Sequence, residues 1–134
     1  MYGPSITSLQ AKAVAAAAVA EASKNNWTMA FSIVDTAGDL VHFEKMDQTQ
    51  VGSVEVSLAK ARSAARFKRP TKVFQDALAG GGLGLRVLSL DGAVAVEGGV
   101  PLIVDGTIIG ALGASGGSSE QDGVAAAAGV AALK

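Results

Sequence analysis

The chain has 134 residues, no cysteine and a formal net charge of -1, with 49% apolar and only 17% charged residues. A domain of this length buries a real core, and the near-neutral balance argues against nucleic acid or an anionic membrane surface as partner. The absence of cysteine removes disulfides, thiolate catalysis and thiolate zinc sites.

Much of the apolar share is alanine, and there are 17 glycines, so helices can pack closely. The low charge leaves surface to be buried between copies, and a homo-oligomer is expected. The opening MYGPSITSLQ has neither the basic region nor the apolar core of a signal peptide. Ala11–Ala22 is too short to span a bilayer. No membrane association is therefore expected, and a cytoplasmic location is.

Thr7, with Gln10 three residues on, reads as the capping box of a first helix that runs to Lys24 and stops at Asn25-Asn26. Trp27–Val34 alternates as a strand does, with Met29, Phe31 and Ile33 on one face and Ala30, Ser32 and Val34 on the other. Asp35–Asp39 is turn-forming, and its two aspartates suit hydrogen bonding to the loop backbone. Leu40–Met46 is the returning strand. Ser53–Phe67 reads as a helix with Val54, Leu58, Ala61 and Ala65 as its apolar stripe. Its second half is basic, as suits the helix dipole. Pro70 interrupts before a short helix over Thr71–Leu78.

Gly80–Gly84 lacks the lysine and hydroxyl of a phosphate loop, so a connector is expected. Leu85–Leu90 reads as an extended apolar run and Ala93–Val96 as a short strand, with Glu97–Gly99 a bend. Val100–Val104 and Thr107–Ala114 flank Asp105-Gly106, the signature of a type I′ hairpin turn. A glycine-serine loop then leads to a nearly all-apolar helix, Val124–Leu133. Its capping box is either Ser118 with Gln121 or Ser119 with Asp122. The sum is an α+β domain of about five mainly antiparallel strands with helices packed on the sheet.

Few side chains can carry chemistry. His42 is the sole histidine, which leaves an axial haem ligand or a proton carrier as its possible roles. Met46-Asp47, at a strand end, pairs a thioether suited to a large apolar ring with a carboxylate. Lys60 and Arg62, two apart on a helix, point different ways. Glu97, Ser115, Glu120 and Asp122 gather toward the glycine loop, where backbone N–H groups of Ser115–Gly117 and the positive end of the last helix can meet an anionic or carbonyl group.

Six blocks carry a resemblance: Val34-Asp35-x-x-Gly38-x-Leu40, Met46-Asp47, Lys60-Ala61-Arg62-Ser63-Ala64, Gly98-Gly99-Val100-Pro101, Gly110-Ala111-x-Gly113-x-Ser115-Gly116 and Gln121-Asp122. In this order they resemble the GlcG/HbpS family, which includes the C-terminal domain of PduO-type corrinoid adenosyltransferases. The resemblance implies a profilin-like or PAS-like sandwich, homo-oligomers, and haem binding in some members. The chain departs from the family at Gln48-Thr49, where Gly-Ala is usual, and at Ser63, where threonine is.

Two functions follow. In the first, the protein binds haem or another acidic small molecule, with Lys60 or Arg62 on the propionates, Met46 under the ring, Ser115 and Gly116 lining the pocket and His42 on the iron. In the second, it is a cofactor-independent enzyme for a carboxylated or carbonyl metabolite, with Asp47, Glu97 or Asp122 moving the proton.

Overall fold

A computed structural model describes residues 1–133. Helix α1 (Ser8–Lys24) starts as its capping box requires: Thr7 Oγ1 accepts from Gln10 N at 3.1 Å, and Gln10 Oε1 accepts from Thr7 N at 2.9 Å. Strands β1 (Ala30–Val34) and β2 (Leu40–Lys45) form the first hairpin. Asp35 Oδ1 fixes its turn by accepting from Ala37 N and Asp39 N. Helices α2 (Ser53–Phe67) and α3 (Thr71–Ala79) follow, then a 3-10 segment over Gly82–Ser89. Strands β3 (Gly99–Val104) and β4 (Thr107–Ser115) form the second hairpin. Asp105 and Gly106 both have positive φ, 52° and 76°, as the type I′ reading demands. Helix α4 (Ser119–Ala131) closes the chain, and Ser118 with Gln121 is the capping box that forms.

The sheet is antiparallel in the order β2-β1-β4-β3, so the sequence-adjacent hairpins meet through β1 and β4. It has four strands, not the five expected. Ala93–Val96 forms no ladder; this segment is instead pinned to α2, where Val94 N donates to Ser63 Oγ at 3.0 Å. Of the expected extended run Leu85–Leu90, Leu85–Ser89 is 3-10 helix and only Leu90 is extended, because a short apolar run has no period of its own to choose between the two. The edge strand β3 carries Pro101, opposite Ala111, and the other edge strand, β2, holds an extra residue, Val41, where its pairing with β1 jumps from Ile33–His42 to Val34–Leu40.

The two faces of the sheet differ. On one, Met29, Phe31, Ile33, Leu102, Ile109 and Leu112 pack against Val14 and the alanines of α1 and α4 in the main apolar core. Each large side chain sealed there contributes about 1.5–3 kcal/mol. On the other face α2 lies across β1, β4 and β3, and its contact with the sheet is made by small and polar residues.

Candidate functional site

The buried residues of α2 are Ser53, Ser57, Lys60, Ala61, Ser63, Ala64 and Ala65; Ser53, Ser57, Lys60 and Ala64 are spaced three and four apart, as one helical face requires. Of the expected stripe, Ala61 and Ala65 are buried, whereas Val54 and Leu58 are only half-buried, because apolar character alone does not select the face that meets the sheet. Glycines let the helix come this close. A Cβ on Gly113 would stand 2.0 Å from Ser57 O, and one on Gly99 2.4 Å from Lys60 O. At this short range hydroxyls meet: Ser32 with Ser57 at 2.8 Å, and Ser115 Oγ donating to Ser53 Oγ at 3.1 Å. Thr71 Oγ1 accepts from Gly99 N at 2.9 Å.

Lys60 ends this polar strip. Its Nζ lies 2.9 Å from both Ala114 O and Asp122 Oδ2, with side-chain exposures of 1% for Lys60 and 3% for Asp122. Asp122 Oδ1 accepts from Gly117 N at 2.9 Å. Burial pushes the Asp122 carboxyl above its ordinary range; the bonds from Lys60 and Gly117 pull the other way but do not cancel it. Gly98, at φ 132°, passes so near that a Cβ would come within 2.8 Å of Lys60 Nζ. Only glycine fits there.

This geometry corrects the expected anion cradle. The N–H of Gly117 is spent on Asp122, Ser118 N donates to Gln121 Oε1, and Lys60 is taken. The chain's own carboxylate fills the place expected for a ligand. Glu97 lies beside this knot: its N–H donates to Gln75 Oε1, and its carboxylate rests where a Cβ on Gly123 would point.

Met46 and Asp47 lie at the same end of the sheet, since Lys45, Ala30 and Ser115 stand abreast across β2, β1 and β4. Met46 packs against the apolar core, and Asp47 is exposed on the following turn. Arg62 goes to the opposite end. Its Nε donates to Gly38 O at 3.0 Å in the β1–β2 turn, and Arg66 Nε donates to Ala37 O beside it. The five residues of β1 separate that turn from the Lys60 end, about 13 Å at 3.3 Å per residue. Lys60 and Arg62 therefore do not share a site.

His42 stands on the edge strand β2 opposite Ile33, with 25% of its side chain exposed and Nε2 3.9 Å from Glu44 Oε1. It shares a strand face with Glu44 and Met46, two and four residues on. An open cleft of about 380 Å³ lies elsewhere, between the N-terminal segment and the β3–β4 turn. Pro4, Gln10, Asp105 and Ile109 help line it, and no expected site residue does. Among the described residues no group of three or more His, Asp or Glu side chains is placed to hold a metal ion, and no helix is long and apolar enough to cross a membrane.

Comparison with known proteins agrees with the blocks read from the sequence. Protein GlcG of Escherichia coli (strain K12) is 38% identical over 105 residues, 78% of this chain and 77% of that one. The crystal structure of Klebsiella pneumoniae protein ORFY superposes with a TM-score of 0.88 at 33% identity, covering 98% of this chain and 92% of that one. A PduOC:Heme complex superposes with a TM-score of 0.87 at 32% identity, covering 97% and 96%. Residues 6–131 match the family model described as "Haem degrading protein HbpS-like", and the chain belongs to this GlcG/HbpS family.

Proposed function

We propose that the protein is a small-ligand-binding member of its family and that its ligand is haem or a related acidic tetrapyrrole. The observation that carries this reading is the likeness, at 32% identity over nearly the whole chain, to the PduOC:Heme complex. The chemistry of His42 suits the role: a single imidazole, half-buried on an open sheet edge, with Met46 farther along the same face. When bound, haem would supply a redox-active iron centre, and His42 would hold it. Lys60 is withdrawn from propionate binding by Asp122. The same reading has the chain working as a homo-oligomer.

The acid–base reading draws less support. Asp122 is locked to Lys60 and closed to substrate, which leaves exposed Asp47 and half-buried Glu97 as its carboxylates.

Haem titration of the purified protein tests the proposal. A saturable Soret shift at one haem per chain, lost or displaced in His42→Ala and retained in Lys60→Met, is the expected result. An absence of saturable binding removes haem as the ligand. Turnover of a carboxylated metabolite that is lost in Asp47→Asn would establish the enzyme reading instead.

A further inference from the structure

The open cleft of about 380 Å³ takes no part in the haem reading. Its size falls within the range of small-ligand sites, about 300–1,000 Å³. One wall is the segment that precedes α1. Ile6 N donates to Ile109 O at 2.8 Å, Gly3 N to Ile108 O at 2.9 Å, and Ile108 N to Met1 O at 2.9 Å, which lays that segment along β4. The other wall is the β3–β4 turn, set by the positive φ of Asp105 and Gly106. Backbone bonds and a tight turn thus form the cleft in advance of any ligand. Pro4, Val104 and Ile109 make its apolar part.

The polar groups that line it can be sorted by what they still have to offer. Gln10 Oε1 accepts from Thr7 N at 2.9 Å and from Thr7 Oγ1 at 3.2 Å, so both of its lone pairs are committed. Thr7 Oγ1 gives its proton to that bond and accepts from Gln10 N, which leaves it one lone pair. Thr107 Oγ1 gives its proton to Val104 O at 3.0 Å and can otherwise only accept. Asp105 adds a carboxylate that is exposed and forms no ion pair among the described residues. No lysine, arginine or histidine lines the cleft. Ser8 and Leu9, whose N–H groups carry the positive end of α1, do not line it either. What these side chains leave free is mostly acceptors, one of them ionised, with the Gln10 NH2 group as a donor.

We propose that this cleft binds a small aliphatic amine in its protonated form. An ammonium group has three donors and no acceptor, the converse of what the lining side chains leave free. Its alkyl chain lies along Pro4, Val104 and Ile109. The cleft contains none of His42, Met46, Lys60 or Asp122, so the proposal goes beyond the haem reading and is independent of it.

The test is a titration of the 15N-labelled full chain at neutral pH with n-pentylamine hydrochloride, n-pentanol and sodium pentanoate, followed by amide chemical shifts. The ammonium should saturate, with the largest shifts at Thr7, Gly106 and Thr107. The alcohol should bind about tenfold or more weakly, since its bond to the carboxylate lacks the charge, and pentanoate should not bind there. n-Butylamine, one methylene shorter, should bind about fourfold more weakly. Asp105→Asn keeps the turn, because asparagine suits the first position of a type I′ turn. It should weaken the ammonium about tenfold or more and leave the alcohol unchanged, whereas His42→Ala should alter neither. The proposal is overturned by an absence of saturable shifts, by shifts centred away from the cleft, by pentanoate binding as tightly as the amine, or by Asp105→Asn binding like wild type. A Soret titration bears only on haem, so the two readings fail separately.

Discussion

The two faces of one sheet are held to their helices in unlike ways. Under α1 and α4 the contact is made by Phe31, Ile33, Leu102 and Leu112 against alanine and valine, a non-directional attraction that scales with area. Under α2 the backbones come almost into contact through Gly99 and Gly113. The space left holds Ser32–Ser57, Ser53–Ser115 and Lys60–Asp122 in place of large apolar groups. The first face can absorb a changed methyl group by repacking. The second cannot, because a buried polar atom that loses a partner there is left unsatisfied.

The largest expected effect breaks the polar face at its charged end. Asp122→Ala leaves Lys60 buried without a counter-charge and should cost about 3–5 kcal/mol in urea unfolding, whereas Lys60→Met/Asp122→Leu should recover most of that loss. Equal destabilisation by the single and double changes would show that the charge pair is not what matters there. Next comes Gly113→Ala. Its methyl group would meet Ser57 O at 2.0 Å and Ala61 N at 2.7 Å, both backbone atoms, so α2 itself must shift. A loss of about 1–3 kcal/mol is expected, as for overpacking. A neutral result would mean that α2 slides as readily as the apolar face repacks.

The smallest effect sharpens the comparison through pH. The folded-state pKa of Asp122 lies above its unfolded value, so the unfolded chain loses this proton first. The advantage conferred by the protonated carboxyl is complete below the unfolded pKa and is lost as pH rises through the folded one. The stability of wild type relative to Asp122→Asn should therefore fall as pH rises across that window. A difference that grows with pH would reverse the assignment.

Much of the apolar face was legible in the sequence, and little of the polar one. Alternation along β1 separates Met29, Phe31 and Ile33 from Ser32 and Val34, and the structure divides them in that way. The Asp105-Gly106 turn and the Thr7 cap followed from local chemistry. The Ser53-Ser57-Lys60 stripe was visible as a spacing, but hydropathy counts serine and lysine as outward-facing. The partners that hold them inside, Ser115 and Asp122, lie 62 residues away from Ser53 and Lys60 respectively. The divergence of Lys60 and Arg62 was readable from their offset on the helix, while their destinations depended on where Ala114 and Gly38 fall in the sheet. Ala93–Val96 was misread because its backbone is tied to the Ser63 hydroxyl of α2, a side-chain contact that no local pattern shows.

Pro101 on β3 and the slipped register of β2 bear on how copies of the chain can meet. A proline has no N–H to offer an incoming strand, and a strand that changes register presents a broken row of donors and acceptors. Lateral growth of the sheet is thus blocked at both ends, and cross-β stacking through these edges is disfavoured. The edges of the sheet are therefore poor templates for a strand from another chain.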